Sequence, residues 1–146
     1  MRPARILLLF ILCVGIALGE SDDRIVQVRK FMNNLPAAKY AELFVEVADE
    51  YKLDWRLLPA LAYLESTGGK FTVGNNIFGW DSGRKHFRTI ADGIHYVGRT
   101  LGTGVYYRGK TTLEKLKTYN VNEHYSIAAL ATMGRISLID PLARTK

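Results

Sequence analysis

Between Gly68 and Phe87 the chain carries Gly68, Gly69, Gly74, Gly79 and Gly83, with Phe71, Val73, Ile77, Phe78, Trp80 and Phe87 set among them. Glycine weakens helix and strand interiors alike, and these apolar residues keep no helical period. The expectation is short strands or a loop-rich lobe. Irregular segments of this length inside a small domain are usually functional. The rest of the chain must therefore supply the core.

It does so with helices. Tyr40, Phe44, Val47, Ala48 and Tyr51 recur at helical spacing, with Glu42, Glu46, Asp49 and Glu50 mostly opposite. Ile90, Ile94, Val97 and Leu101 repeat the pattern, and Thr89 with Asp92 forms a capping box before them. Thr111 and Glu114 repeat that device for a short helix holding Leu113, Leu116 and Tyr119. A weaker period marks Ile25 to Phe31. A last helix is predicted from about Ser126 to Ile136, with Ile127, Leu130 and Ala131 inward. The fold class expected is α+β, predominantly α: helices around one small glycine-rich β or loop lobe.

The first residues read as an address. Met1-Arg2-Pro3-Ala4-Arg5 is basic, Ile6 to Gly19 is uncharged and apolar, and Ala17-Leu18-Gly19 offers small residues for cleavage. The apolar run is too short to span a bilayer comfortably. Bulky Leu12 before Cys13 argues against a lipoprotein site. The expected organisation is a signal peptide over 1–19, a helical segment over 20–50, and a main region over 51–146 that shares one domain with it. The mature protein would be secreted or periplasmic, in the cell envelope, without stable membrane insertion. It would have no cysteine, since Cys13 is the only one, which excludes a disulfide scaffold and a thiol nucleophile. Losing Arg2 and Arg5 takes the formal charge from +6 to about +4, a modest excess that does not by itself choose a partner.

One carboxylate is oddly placed for stability. At 100° per residue, Leu58, Leu61, Ala62 and Glu65 share a face of the segment Leu57 to Glu65. Glu65 thus sits in the apolar stripe. It also lies in the final turn, since Gly68-Gly69 is a stop signal, where the helix dipole is negative. Desolvation and dipole both favour the neutral acid. The functional reading is a general acid able to protonate a leaving oxygen. The plain alternative is a frayed glutamate in water, or one paired with Lys70 or Arg88. Pro59 lacks a backbone donor, so a helix starting near Asp54 must kink or begin later.

The residues around it, Leu64-Glu65-Ser66-Thr67-Gly68-Gly69-Lys70-Phe71 and then Asn75-Asn76-Ile77-Phe78-Gly79-Trp80, resemble the bacterial endo-β-N-acetylglucosaminidase domain of autolysins. The likeness runs from about Tyr51 to Ser137 and takes in Phe87-Arg88, Tyr106-Tyr107-Arg108-Gly109-Lys110, Tyr119 and Tyr125. It implies a lysozyme-like fold, Glu65 as the catalytic acid, and cleavage of β-1,4 bonds next to N-acetylglucosamine in peptidoglycan strands. The Glu-Ser pair is similar also to lytic transglycosylases. Their Gly-Leu-Met-Gln signature is replaced here by Asn76-Ile77-Phe78-Gly79, which favours the glucosaminidase.

Glycosidases commonly use a second carboxylate. Asp92 and Glu114 serve capping boxes, which leaves Asp81 and Glu123. Each has a plain alternative, a turn residue and a first-turn acid respectively. Tyr119 is a further candidate for the second catalytic group. The substrate's own 2-acetamido group can replace it altogether. For substrate binding, Asn75 and Asn76 offer amides, and Trp80, Tyr107 and Tyr125 offer ring faces and hydroxyls. Asn75-Asn76 reads equally well as a turn, aromatics are mostly core, and Phe78 is expected there.

His86, His95 and His124 lack metal-ligand spacing, and no phosphate-binding glycine loop occurs. No metal, no cofactor and no nucleic-acid partner are expected, and the protein is read as a monomer. The rivals to a glucosaminidase are a lytic transglycosylase and a cell-wall binding module without turnover. Against the module stands the cost of burying a carboxylate that binding alone does not need.

Overall fold

The computed structural model describes residues 22–142. The signal peptide predicted over 1–19, with Cys13, lies outside the described residues. Among those described are six α-helices and no strand: α1 (Asp23–Phe31), α2 (Ala41–Glu50), α3 (Leu57–Ser66), α4 (Ile90–Thr103), α5 (Thr112–Tyr119) and α6 (Glu123–Ser137). A short 3-10 turn, Pro36–Tyr40, precedes α2. The fold is predominantly helical. The lobe between α3 and α4 is loop and turn throughout, so the expectation of short strands there gives way to its loop-rich alternative.

Local chemistry explains most boundaries. Both capping boxes form: the Thr89 hydroxyl accepts from the Asp92 amide and Asp92 accepts from the Thr89 amide, each at 3.1 Å. Thr111 and Glu114 do the same for α5. α3 begins at Leu57, later than Asp54, because the Asp54 carboxylate takes the Arg56 amide at 3.0 Å and folds that stretch into a turn. Pro59 then falls in the first helical turn, where a missing donor costs nothing.

One apolar core joins all six helices and the lobe. It draws Val28 from α1, Phe44 and Val47 from α2, and Leu57, Leu58 and Leu61 from α3. Ile94 and Val97 come from α4, Leu116 from α5, and Met133 and Ile136 from α6. The lobe contributes Ile77 and Phe78, both fully buried. α3 packs on α6, and α2 on α4. That second contact is close enough that a Cβ at Gly98 would lie 2.2 Å from Val47 Cγ1.

α6 corrects one expectation. Ile127, Leu130 and Ala131 face outward, with Ile127 60% and Leu130 42% exposed. The inward stripe is Ser126, Ala129, Thr132, Met133 and Ile136. Two apolar stripes were available, and the one with small residues near its start lets α6 approach α3 and α5. In α5 Leu113 is 41% exposed, while Leu116 carries the helix into the core.

Candidate active site

The end of α3 sets the geometry. Thr67, Gly68 and Gly69 take positive φ angles of 52°, 60° and 88°, which turns the chain back sharply. Ser66 pins the turn: its hydroxyl lies 2.8 Å from the Ile77 carbonyl and accepts the Gly69 amide at 2.9 Å. Burial of Ile77 and Phe78 then draws the lobe across the last turn of α3. Gly79 comes to lie over the Glu65 carboxylate, where a Cβ would stand 2.9 Å from Oε2, and its φ is +58°. Both facts require glycine there.

Glu65 is therefore half-buried, walled by its own helix on one side and the lobe on the other. Tyr125, from the first turns of α6, donates its hydroxyl to Glu65 Oε1 at 2.6 Å. Tyr119, at the end of α5, stacks on Tyr125 with ring centroids 5.8 Å apart and donates to the Phe78 carbonyl. Burial pushes the Glu65 carboxyl above the usual carboxylate range, and the Tyr125 hydrogen bond pulls it partly back. Burial, then the Glu65 carboxylate beside it, holds the Tyr119 phenol above its ordinary range. The Tyr125 phenol is held up first by burial and then by its hydrogen bond to Glu65. In this cluster Glu65 is the group that exchanges its proton most readily, and both tyrosines remain donors.

In front of Glu65 opens a cleft of about 660 Å³. Trp80 lines it among three tyrosines, with ring centroids 5.7 Å from Tyr119, 5.9 Å from Tyr96 and 6.4 Å from Tyr107. Asp81, Ser82, Lys85 and Asn120 add polar groups to the wall. A carboxyl that keeps its proton to higher pH than an exposed glutamate, facing such a cleft, can deliver that proton to a bound oxygen.

Of the residues expected at the site, Glu65, Tyr119, Trp80, Tyr107 and Asp81 meet on this cleft, and Tyr125 reaches Glu65 beside it. Asp81 is exposed, has φ +54°, and pairs with Arg84 at 2.5 Å. Glu123 opens α6, exposed and away from the cleft lining. Asn75 and Asn76 were expected to face substrate, and they are placed otherwise. Asn76 is 4% exposed; its amide donates to the Trp80 and Lys85 carbonyls and accepts from the Trp80 amide. Asn75 donates to the Phe87 and Arg88 carbonyls. A loop without a strand ladder must satisfy its buried backbone somehow, and these two side chains do it.

Ser82, Lys85, Tyr96 and Asn120 complete the cleft wall and are not among the site residues the sequence offers, while Gly79 enters there only as part of the motif. Lys115 was missed as well. It is buried, donates to the Leu101 carbonyl at 2.9 Å and the Tyr107 carbonyl at 2.6 Å, and so fixes the loop bearing Tyr107. Burial lowers its pKa. Its one signal in the sequence is a place four residues before Tyr119, on the same helical face. No family model, no curated protein and no solved structure matches this chain.

Proposed function

We propose that this protein is a secreted or periplasmic enzyme that cleaves β-1,4 glycosidic bonds next to N-acetylglucosamine in peptidoglycan strands, with Glu65 as general acid. The observation that carries the reading is the Glu65 carboxyl, half-buried, raised in pKa by burial and held by Tyr125 at the floor of an aromatic cleft. The ring faces of Trp80 and Tyr107 suit the apolar faces of sugars, and a cleft of about 660 Å³ has room for sugar rings. A lysozyme-like arrangement of helices around the lobe belongs to the same proposal.

In this mechanism Glu65 gives its proton to the leaving glycosidic oxygen as the C1–O bond breaks. Asp81 is exposed on the cleft wall beside Arg84, Glu123 lies away from the lining, and the Tyr119 hydroxyl donates to the Phe78 carbonyl, so the proposal takes the acetamido oxygen of the substrate's own sugar as the attacking group. It bonds to C1 and forms a cyclic intermediate. The Glu65 carboxylate then takes a proton from water as that water opens the ring.

The test is incubation of the full chain with purified peptidoglycan and mass spectrometry of the new ends. Reducing N-acetylglucosamine ends are expected. Anhydro-muramic ends would mean that the sugar's own hydroxyl replaces water, as in a lytic transglycosylase, and no soluble product would mean a binding module. Glu65→Gln should lose at least about 100-fold in rate while staying folded. Cleavage at the wild-type rate would remove Glu65 from the mechanism.

A further inference from the structure

A second hollow, of about 390 Å³, lies on the other side of Lys85 and Tyr96, which line both it and the cleft. Its wall carries Lys85, Arg88, Arg99, His86 and His95 against one acid, Asp92. Asp92, His95 and Arg99 follow one another along one face of α4, and Arg88 stands just before its N-cap Thr89. The single carboxylate is already engaged, by the Thr89 amide at 3.1 Å and Arg88 at 3.4 Å. Glu50, beside the Tyr51 hydroxyl, holds that phenol above its ordinary range and is not in the lining of the hollow. Among the described residues neither Lys85 nor Arg99 has an ion-pair partner. The Lys85 ammonium sits 4.7 Å above the Tyr96 ring, on the ridge between the two hollows.

Cations scattered over a convex surface need no ligand. Here five basic side chains line one hollow, Lys85 and Arg99 among them have no carboxylate partner, and the hollow adjoins the cleft through a shared lysine. We propose that this hollow is an anion subsite, which holds carboxylate or phosphate groups borne by the polymer lying in the cleft. The inference rests on the glycan reading for the polymer, and on the geometry alone for the anion. Arg88 and Arg99 present forked donors suited to either oxyanion, and Lys85 bridges from the strand to its charged side groups.

The experiment uses the full chain and two soluble probes followed by NMR. Inorganic phosphate should shift the His86 and His95 imidazole resonances, while the neutral trimer of N-acetylglucosamine should shift Trp80 and Tyr107. Binding to insoluble strands is then compared after amidation of their carboxylates and after removal of attached phosphodiester polymer. Loss on amidation identifies a carboxylate, and loss on stripping identifies a phosphodiester. In the R88Q/R99Q double variant, affinity for native strands should fall about tenfold relative to affinity for the neutral trimer, and its dependence on salt should flatten. Phosphate that moves neither imidazole, or equal affinity for native, amidated and stripped strands, overturns the subsite. A trimer that leaves Trp80 unmoved would count against the glycan reading, and the phosphate titration would still decide the anion site.

Discussion

At the scale of single residues, Glu65 and Tyr125 hold opposite influence over one proton. Burial raises the carboxyl's pKa and the phenol's hydrogen bond lowers it. Tyr125→Phe removes only the lowering influence, so the acid form should persist to higher pH. The basic limb of kcat/KM should move upward, with the rate at the optimum down about three- to tenfold from lost orientation. A pH–rate profile checks this, and a limb that moves downward would contradict it. The same carboxyl links stability to pH. Because its folded pKa is raised, the folded state binds the proton more tightly than the unfolded chain. The stability it contributes is complete below the unfolded glutamate value of about 4.3 and is lost as pH rises through the folded pKa. Glu65→Gln has no charge to bury, so its stability relative to wild type should grow with pH. The gain should be on the order of 1 kcal/mol or less, since the cleft leaves the carboxylate partly solvated. Urea midpoints taken at acid and alkaline pH measure it.

At the scale of elements, the lobe is held by side chains and not by strand pairing, and Asn76 is its central brace. Asn76→Asp keeps the acceptor for the Trp80 amide but sets an oxygen against the Trp80 and Lys85 carbonyls. The cost should be about 2–3 kcal/mol, with faster amide exchange at Trp80. A ligand-binding asparagine would instead lose substrate affinity at unchanged stability, so denaturation and binding together separate the two roles. Helix ends were legible because their causes are local: Thr89 with Asp92 and Thr111 with Glu114 need no distant partner. The position of Glu65 on the buried stripe of α3 was legible for the same reason. The inward face of α6 was not, since Ile127 and Leu130 make as good an apolar stripe as Met133 and Ile136. Close approach of helices chose between them. Nor could sequence show that Asn75 and Asn76 would be consumed by carbonyls up to thirteen residues away. That demand exists only once the loop has closed.

At the scale of the whole molecule, Ile77 and Phe78 tie the lobe into the same core as Val28, Phe44, Leu61 and Ile136. The Tyr119 hydroxyl adds a bond from α5 to the Phe78 carbonyl. Lobe and helices should therefore unfold as one unit, even though the lobe has no ladder of its own. Trp80 reports the lobe and far-ultraviolet circular dichroism reports the helices. With Trp55 replaced by Phe so that Trp80 is the remaining tryptophan, the two urea transitions should coincide. Phe78→Ala should shift both together by about 3–5 kcal/mol, as expected for emptying a fully buried ring site. A Trp80 transition that precedes the loss of helix would instead make the lobe a separate folding unit. Glu65 would then lose its cover, and its raised pKa with it, before the helices unfolded. The site survives to the global transition only if Ile77 and Phe78 couple lobe to core, because the helix that bears Glu65 walls one side of the carboxyl and the lobe must supply the other.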